Sequence, residues 1–192
     1  MSIFTQVQNT KVGRNKFDMT HDVKMSAQFG ELIPSCIMEA IPGDRFDLTG
    51  SAMVRLAPMI APVMHRANVY LHYFFVPTRL VWENFEKFMT GGKDGTLQPA
   101  HPYIDYNCQG TVEGQLPDYF GLPTSGTNSG TIPNQQISAI PFACYQKIYN
   151  DYYRDQNFVD EINFELTDGD NTTNSDLLTK RLRNWQHDYF TS

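Results

Sequence analysis

The stretch from residue 56 to residue 92, LAPMIAPVMHRANVYLHYFFVPTRLVWENFEKFMTGG, narrows the possible folds more than any other part of the chain. Residues 56–64, beginning at Leu56, are apolar but interrupted by Pro58 and Pro62. Proline fixes φ and lacks a donor, so this piece reads as an irregular buried connection rather than a helix. Residues 67–76 are almost all apolar or aromatic, with Tyr70, Tyr73, Phe74 and Phe75 among them. The run is too short to cross a membrane and rich in β-formers, which predicts a strand buried on both faces. Pro77 ends it. Trp82, Phe85, Phe88 and Met89 then recur at steps of three and four, and Gly91-Gly92 stops the pattern, so a short amphipathic helix follows.

The residues before this stretch read as β-structure. Residues 1–20 lack a period and carry Asn9, Gly13 and Asn15, which predicts an extended arm without a core of its own. Val23, Met25, Ala27 and Phe29 alternate with polar residues, the pattern of a half-buried strand. Residues 32–40 suit a second strand bent at Pro34, and Ile41-Pro42-Gly43-Asp44 is turn chemistry. Phe46, Leu48, Ala52, Val54 and Leu56 then fall on even positions against polar odd ones, a further half-buried strand. No strand–helix–strand alternation argues for a parallel sheet.

After residue 92 the composition changes. Residues 93–136 are dominated by Gly, Pro, Asn, Ser and Thr, with scattered aromatic anchors at Tyr103, Tyr106, Tyr119 and Phe120. So long a segment without period predicts a surface insertion that packs partly on a neighbouring subunit. Removing its middle is expected to leave the strands folded. Ser138 then reads as an N-cap, and Ile140, Cys144, Ile148 and Tyr152 as the apolar stripe of a helix ending near Arg154. Residues 158–166 alternate in part and suit a strand. Leu177, Leu178, Arg181, Leu182 and Trp185 suit a short final helix.

With 192 residues the chain is long enough for one domain, read as residues 21–192 behind the arm. Cys36, Cys108 and Cys144 are odd in number and widely spaced, as in reduced core thiols from a cytosolic assembly environment. The net charge of −6 is uneven: residues 1–90 carry nine Lys/Arg against eight Asp/Glu, and residues 91–192 carry six against thirteen. Such an acidic chain binds nucleic acid only locally, if at all. The place for that is Lys11, Arg14 and Lys16, three cations that precede the first acidic residue at Asp18; a solvated arm is the plainer reading of them.

Three pieces carry a family resemblance: FDMTHDVKMSAQFGELIP, the whole of residues 56–92, and RNWQHDYFTS at the end. They cover about a third of the chain, in order. They resemble the major capsid protein of the microviruses, small icosahedral phages with single-stranded DNA, and within them the gokushovirus branch. The resemblance implies a viral jelly roll with long loop insertions and a few short helices. It further implies that Leu56, Pro58, Pro62, His65, Arg66, Tyr70, Tyr73, Phe74, Phe75, Pro77, Trp82 and Trp185 belong to a structural core. The implied partners are further copies of the chain, other capsid proteins of the same virus and packaged single-stranded DNA, with no membrane. The implied locations are the virion and, during assembly, the host cytoplasm. A jelly roll needs about eight strands, more than this chain supplies, so the chain is expected to be an N-terminal portion of a longer protein.

Catalytic and ligand motifs are absent or broken, and no enzyme activity, cofactor or metal is expected. Gly91-Gly92-Lys93 has the end of a phosphate loop, but Lys87 stands where its first glycine belongs and Asp94 where Ser or Thr belongs. Asp168, Asp170 and Thr172 open like a calcium loop, yet Thr173 and Thr179 occupy its glycine and glutamate places. His65 and His72 differ in parity and face opposite sides of a strand, while His21, His101 and His187 have no partner set. Lys180, Arg181 and Arg183 beside Trp185 are more simply a charged helix face than a phosphate site. Two rival classes remain: a β-sandwich that binds glycans through Tyr103, Tyr106 and Tyr119, and a hydrolase. The carboxylate pairs Asp160/Glu161 and Glu83/Glu86 do not face one another across a cleft, which disfavours the hydrolase.

Overall fold

In the computed structural model, residues 13–107, 110–125, 135–186 and 190 are described. The core gathers around Trp82 and is built from Val81, Trp82, Ile104, Leu116, Ala139, Phe142, Ala143, Leu166 and Leu177. Val76 is the first residue in the chain to pack against it. A 3-10 turn at Thr78–Leu80 leads to helix α1 (Phe85–Thr90). The Gly-Gly stop is realised: Gly91 takes a left-handed φ of 75°, and its N–H returns to the Lys87 carbonyl at 2.8 Å. A Cβ at Gly91 would stand 2.9 Å from the Gly95 Cα, so only glycine fits.

Strand β1 (Tyr103–Tyr106) pairs antiparallel with β2 (Gln135–Ser138), Tyr103 opposite Ser138 and Tyr106 opposite Gln135. Helix α2 (Leu116–Tyr119) lies between them in sequence. Helix α3 (Ile140–Ile148) follows β2 directly and runs into a single π turn at Tyr149–Tyr153. The N-cap is Ala139 rather than the expected Ser138, and no side chain caps the helix; the Ser138 Oγ only accepts the Ile140 N–H at 3.4 Å from one residue further out. Residues 166–171 thread beside the core, with Leu166 donating to Val81 at 2.9 Å and Tyr103 to Gly169 at 2.8 Å. Trp82 anchors this seam, since its Nε1–H donates to Asp168 Oδ1 at 2.7 Å.

Several expectations change. Within the segment 93–136 the described residues supply β1 and α2 and bury Ile104, Tyr106 and Leu116, so that part belongs to the core. A four-residue strand is too short to leave a periodic signal in polar surroundings. Deleting its middle therefore removes core, and the body is expected to unfold. Helix α3 buries Phe142, Ala143 and Gln146, followed by Tyr149 and Asn150, while Tyr152 from the expected stripe is 67% exposed. The stripe turns because two amides on this face find backbone partners. Asn150 exchanges two hydrogen bonds with Ile162, and Gln146 reaches three carbonyls.

Residues 158–166 do not form a strand; only Leu166 bridges, to Trp82, and Phe158 is 83% exposed. The final helix shrinks to a 3-10 turn at Ser175–Leu178. Its hydrogen bonds go sideways instead: Arg181 and Arg183 bond the backbone of Leu32 and Gly30. Among the described residues the only ladder is β1–β2, so residues 22–29, 45–56 and 67–76 form no strand pair. Apolar alternation marks a face that needs covering, but a strand also needs a neighbour for its N–H and C=O groups. Apart from the single antiparallel bridge of Glu31 to Leu182, residues 13–75 do not find that neighbour among the described residues.

Candidate assembly interface

No residue from 13 to 75 is buried. This arm is held to the body at two places. The first is a clasp at Gly30–Leu32, whose hydrogen bonds run from Leu32 to Arg181 at 3.0 Å and from Arg183 to Gly30 at 2.8 Å. Tyr145 locks it, donating its hydroxyl to the Leu32 carbonyl and accepting the Arg181 N–H, both at 2.9 Å. Burial pushes the Tyr145 phenol up to about 12 despite the opposing Arg181 contacts, so it stays a donor. Tyr119 reaches the Ser26 carbonyl at 2.6 Å. Glu31 pairs with Lys180 at 2.7 Å, and the Lys180 ammonium sits 5.3 Å from the centre of the Tyr119 ring. Burial works to raise the Glu31 carboxyl, but the Lys180 bond, the Gln28 N–H and the Lys180 charge together hold it below its ordinary value.

The second hold is a row of rings. Tyr70 and His72 are 5.9 Å apart and His72 and Phe74 6.1 Å apart, a two-residue step that fits one face of an extended chain. His72 stacks on Tyr153 with an interplanar angle of 11° and hydrogen-bonds its hydroxyl through Nδ1. Phe74 packs on Tyr152 at 5.0 Å, and the Arg183 guanidinium lies 5.9 Å from the Tyr70 ring. Burial raises the Tyr153 phenol against the Arg183 charge. The segment 67–76 thus has the spacing of a strand without a ladder.

The expected core residues are distributed accordingly. Trp82 is 1% exposed and Pro77 half-buried. Pro58, Pro62, His65 and Arg66 are exposed. So are Leu56, Tyr70, Tyr73, Phe74, Phe75 and Trp185. Arg14 and Lys16 are exposed, and Lys11 lies outside the described residues. The basic trio near the end is engaged: Lys180 with Glu31, Arg181 with Asp176 at 3.1 Å, Arg183 over Tyr70. Tyr106 is buried and Tyr119 is occupied with Ser26, so neither forms part of an exposed platform for sugars. Asp168 and Asp170 spend their oxygens on Trp82, Asn84 and Thr172. Among the described residues no group of His, Cys, Asp and Glu is placed to hold a metal. Cys144 is half-buried, with burial pushing its thiol up to about 11, and Cys36 is exposed; Cys108 and His187 lie outside the described residues. The clasp was missed by sequence reasoning; Tyr145, Gln146 and Arg181 interact across more than thirty residues and leave no local pattern.

The exposed area settles what kind of surface this is. The chain exposes 16140 Å². A self-contained protein of 22.0 kDa exposes roughly 9,000 Å². The excess of roughly 7,000 Å² exceeds even a large obligate interface of about 5,000 Å². Much of it is apolar, including Phe29, Met53, Ile60, Met64, Tyr73 and Phe75. This is more apolar surface than a self-contained domain leaves in water.

Such a surface marks a chain whose apolar faces are completed by further protein, in the same polypeptide or in another. The comparisons make it specific: the chain belongs to the phage capsid protein (F protein) family, whose sequence model matches residues 5–192. It is 35% identical over 192 residues to capsid protein VP1 of Bdellovibrio phage phiMH2K, covering 98% of this chain and 34% of that protein. It is 30% identical over 210 residues to capsid protein VP1 of Chlamydia phage 1, covering 98% of this chain and 34% of that protein. Capsid protein VP1 of Spiroplasma virus 4 is 28% identical over 201 residues, with 98% and 35% covered. The microvirus resemblance carried by residues 56–92 is therefore correct. The chain spans about a third of the length of the curated relatives it matches.

Proposed function

We propose that this chain is part of the major capsid protein of a small icosahedral phage and helps to enclose a single-stranded DNA genome. The observation that carries this reading is the arm of residues 13–75, which is apolar, alternating and uncovered. In this reading residues 22–29, 45–56 and 67–76 are strands of an antiparallel jelly roll, and their hydrogen-bond partners come from other protein. The row of Tyr70, His72 and Phe74 supports it, because those rings already keep strand spacing.

The role is structural and not enzymatic. Repeated interfaces with apolar anchors and polar rims do the work, and closed symmetry multiplies modest contacts into a shell. The partners are further copies of the same protein, other capsid proteins of the virus and the packaged DNA. Lys11, Arg14 and Lys16 supply local positive charge for the genome on an otherwise acidic chain. The protein resides in the virion and, while shells form, in the host cytoplasm; no described helix is long and apolar enough to cross a membrane.

The test is sedimentation of the protein expressed from its native reading frame to the natural stop, with electron microscopy of the fast fraction. Uniform small icosahedral particles are expected. A slow, well-folded monomer under all assembly conditions refutes the reading.

A further inference from the structure

Residues 53–66 join strong exposure to an unusual charge pattern. Met53, Ile60 and Met64 are 86%, 109% and 87% exposed, and Val54, Leu56, Met59 and Val63 are exposed too. Arg55 and Arg66 stand near the two ends of this run, and neither has an ion-pair partner among the described residues. No carboxylate occurs between Asp47 and Glu83, although the whole chain has a net charge of −6. Methionine, isoleucine and valine give nucleic-acid bases nothing to stack on, so DNA is a poor occupant for this surface. A dry protein patch edged with carboxylates suits it.

The body of the chain presents such a patch after the π turn. Phe158 and Val159 project there, 83% and 40% exposed. The turn that carries them is fixed, with the Val159 N–H bonded to the Asp155 carbonyl at 3.0 Å and Arg154 Nη1 donating to the Val159 carbonyl at 2.7 Å. Asp155, Asp160, Glu161 and Glu165 flank this apolar tip in sequence, and none has an ion pair among the described residues. One patch reads Arg–apolar–Arg and the other acid–apolar–acid.

Resting on the shell-subunit reading above, we propose that residues 53–66 of one copy dock on the turn at residues 155–165 of a second copy. Phe158 and Val159 enter the Met/Ile surface, and the flanking carboxylates meet Arg55 and Arg66. The patches occupy different parts of the chain, so the contact is head-to-tail and propagates around a ring. Apolar tips provide the affinity, and the charges set register and exclude wrong partners.

Charge exchange in the full-length protein tests this. Arg55→Glu/Arg66→Glu alone and Asp160→Arg/Glu161→Arg alone are each expected to lower particle yield at least tenfold while leaving the monomer folded by circular dichroism. Mixing the two variants is expected to restore association as alternating heterodimers, because each variant then meets an opposite charge on its neighbour. Read as pairwise association rather than as particles, association of the four-substitution protein with none in the mixture overturns the proposal in favour of an internal contact. Normal yield from either variant alone, or no restoration by any combination, overturns it as well. All of these leave the capsid reading intact, which fails separately if the unaltered protein forms no particles.

Discussion

Replacing Gln146 with leucine removes the tie that holds the body to the segment carrying the clasp. Gln146 is fully buried, and its Nε2 donates to the carbonyls of Asp176, Leu177 and Thr179 at 2.8, 3.1 and 2.9 Å. Its Oε1 accepts Arg181 Nε at 2.9 Å. The Asp176 carbonyl keeps the Thr179 N–H and Arg181 Nη2 when the amide goes. The Leu177 and Thr179 carbonyls and Arg181 Nε lose a partner, at about 1–3 kcal/mol each. Because two N–H bonds are shared among three carbonyls, the lower half of that range applies, about 1.5 kcal/mol each. Leucine returns about 1–2 kcal/mol of apolar burial, so the net loss is about 3 kcal/mol. Urea unfolding followed by Trp82 emission reads it, since Trp82 is buried while Trp185 is exposed in both states. With a slope of about 2 kcal/mol/M, the midpoint should fall by about 1.5 M. A fall under about 0.3 M with an unchanged slope refutes the reasoning and shows that water replaces the amide.

Three further outcomes follow from the same contacts. Glu31 has a folded pKa below its unfolded value near 4.3, so its stabilisation is complete above that value and disappears as pH falls through the folded pKa. Protection of the Leu32 and Arg183 amides, taken relative to their intrinsic exchange rate, should therefore fall below about pH 4, and Glu31→Gln should flatten that dependence. Gly91→Ala forces a Cβ to 2.9 Å from Gly95 at a φ of 75°, and should cost about 1–3 kcal/mol in unfolding free energy by urea titration. Deleting residues 97–134 removes β1 and α2 and should abolish the cooperative thermal transition; retention of that transition would show that the body folds without them.

What was legible in the sequence followed from local chemistry. The α1 stop at Gly91 and the helix after Ser138 each rest on residues within a few positions of one another. The alternation in residues 45–56 and the apolar run of 67–76 read as strands, yet neither pairs among the described residues, because an apolar pattern does not say what covers it. Here Tyr73 and Phe75 remain exposed although they lie in a run that reads as doubly buried. The helix stripe was misplaced because Gln146 and Asn150 are polar by type yet buried by their long-range backbone partners. The core role of Ile104 and Leu116 was hidden because their elements are only four residues long. The clasp joins residues 30–32 to 181–183, a separation no pattern within either segment encodes.

The central claim is that protein covers the arm once the particle forms. Methionine oxidation tests it directly, because Met53, Met59 and Met64 are 86%, 51% and 87% exposed in the chain and become sulfoxides where peroxide reaches them. Mass spectrometry of peroxide-treated protein should show all three oxidised readily before assembly and at least tenfold more slowly in purified particles. Equally rapid oxidation in both states would contradict the account, because it would leave the apolar arm facing water in the finished shell.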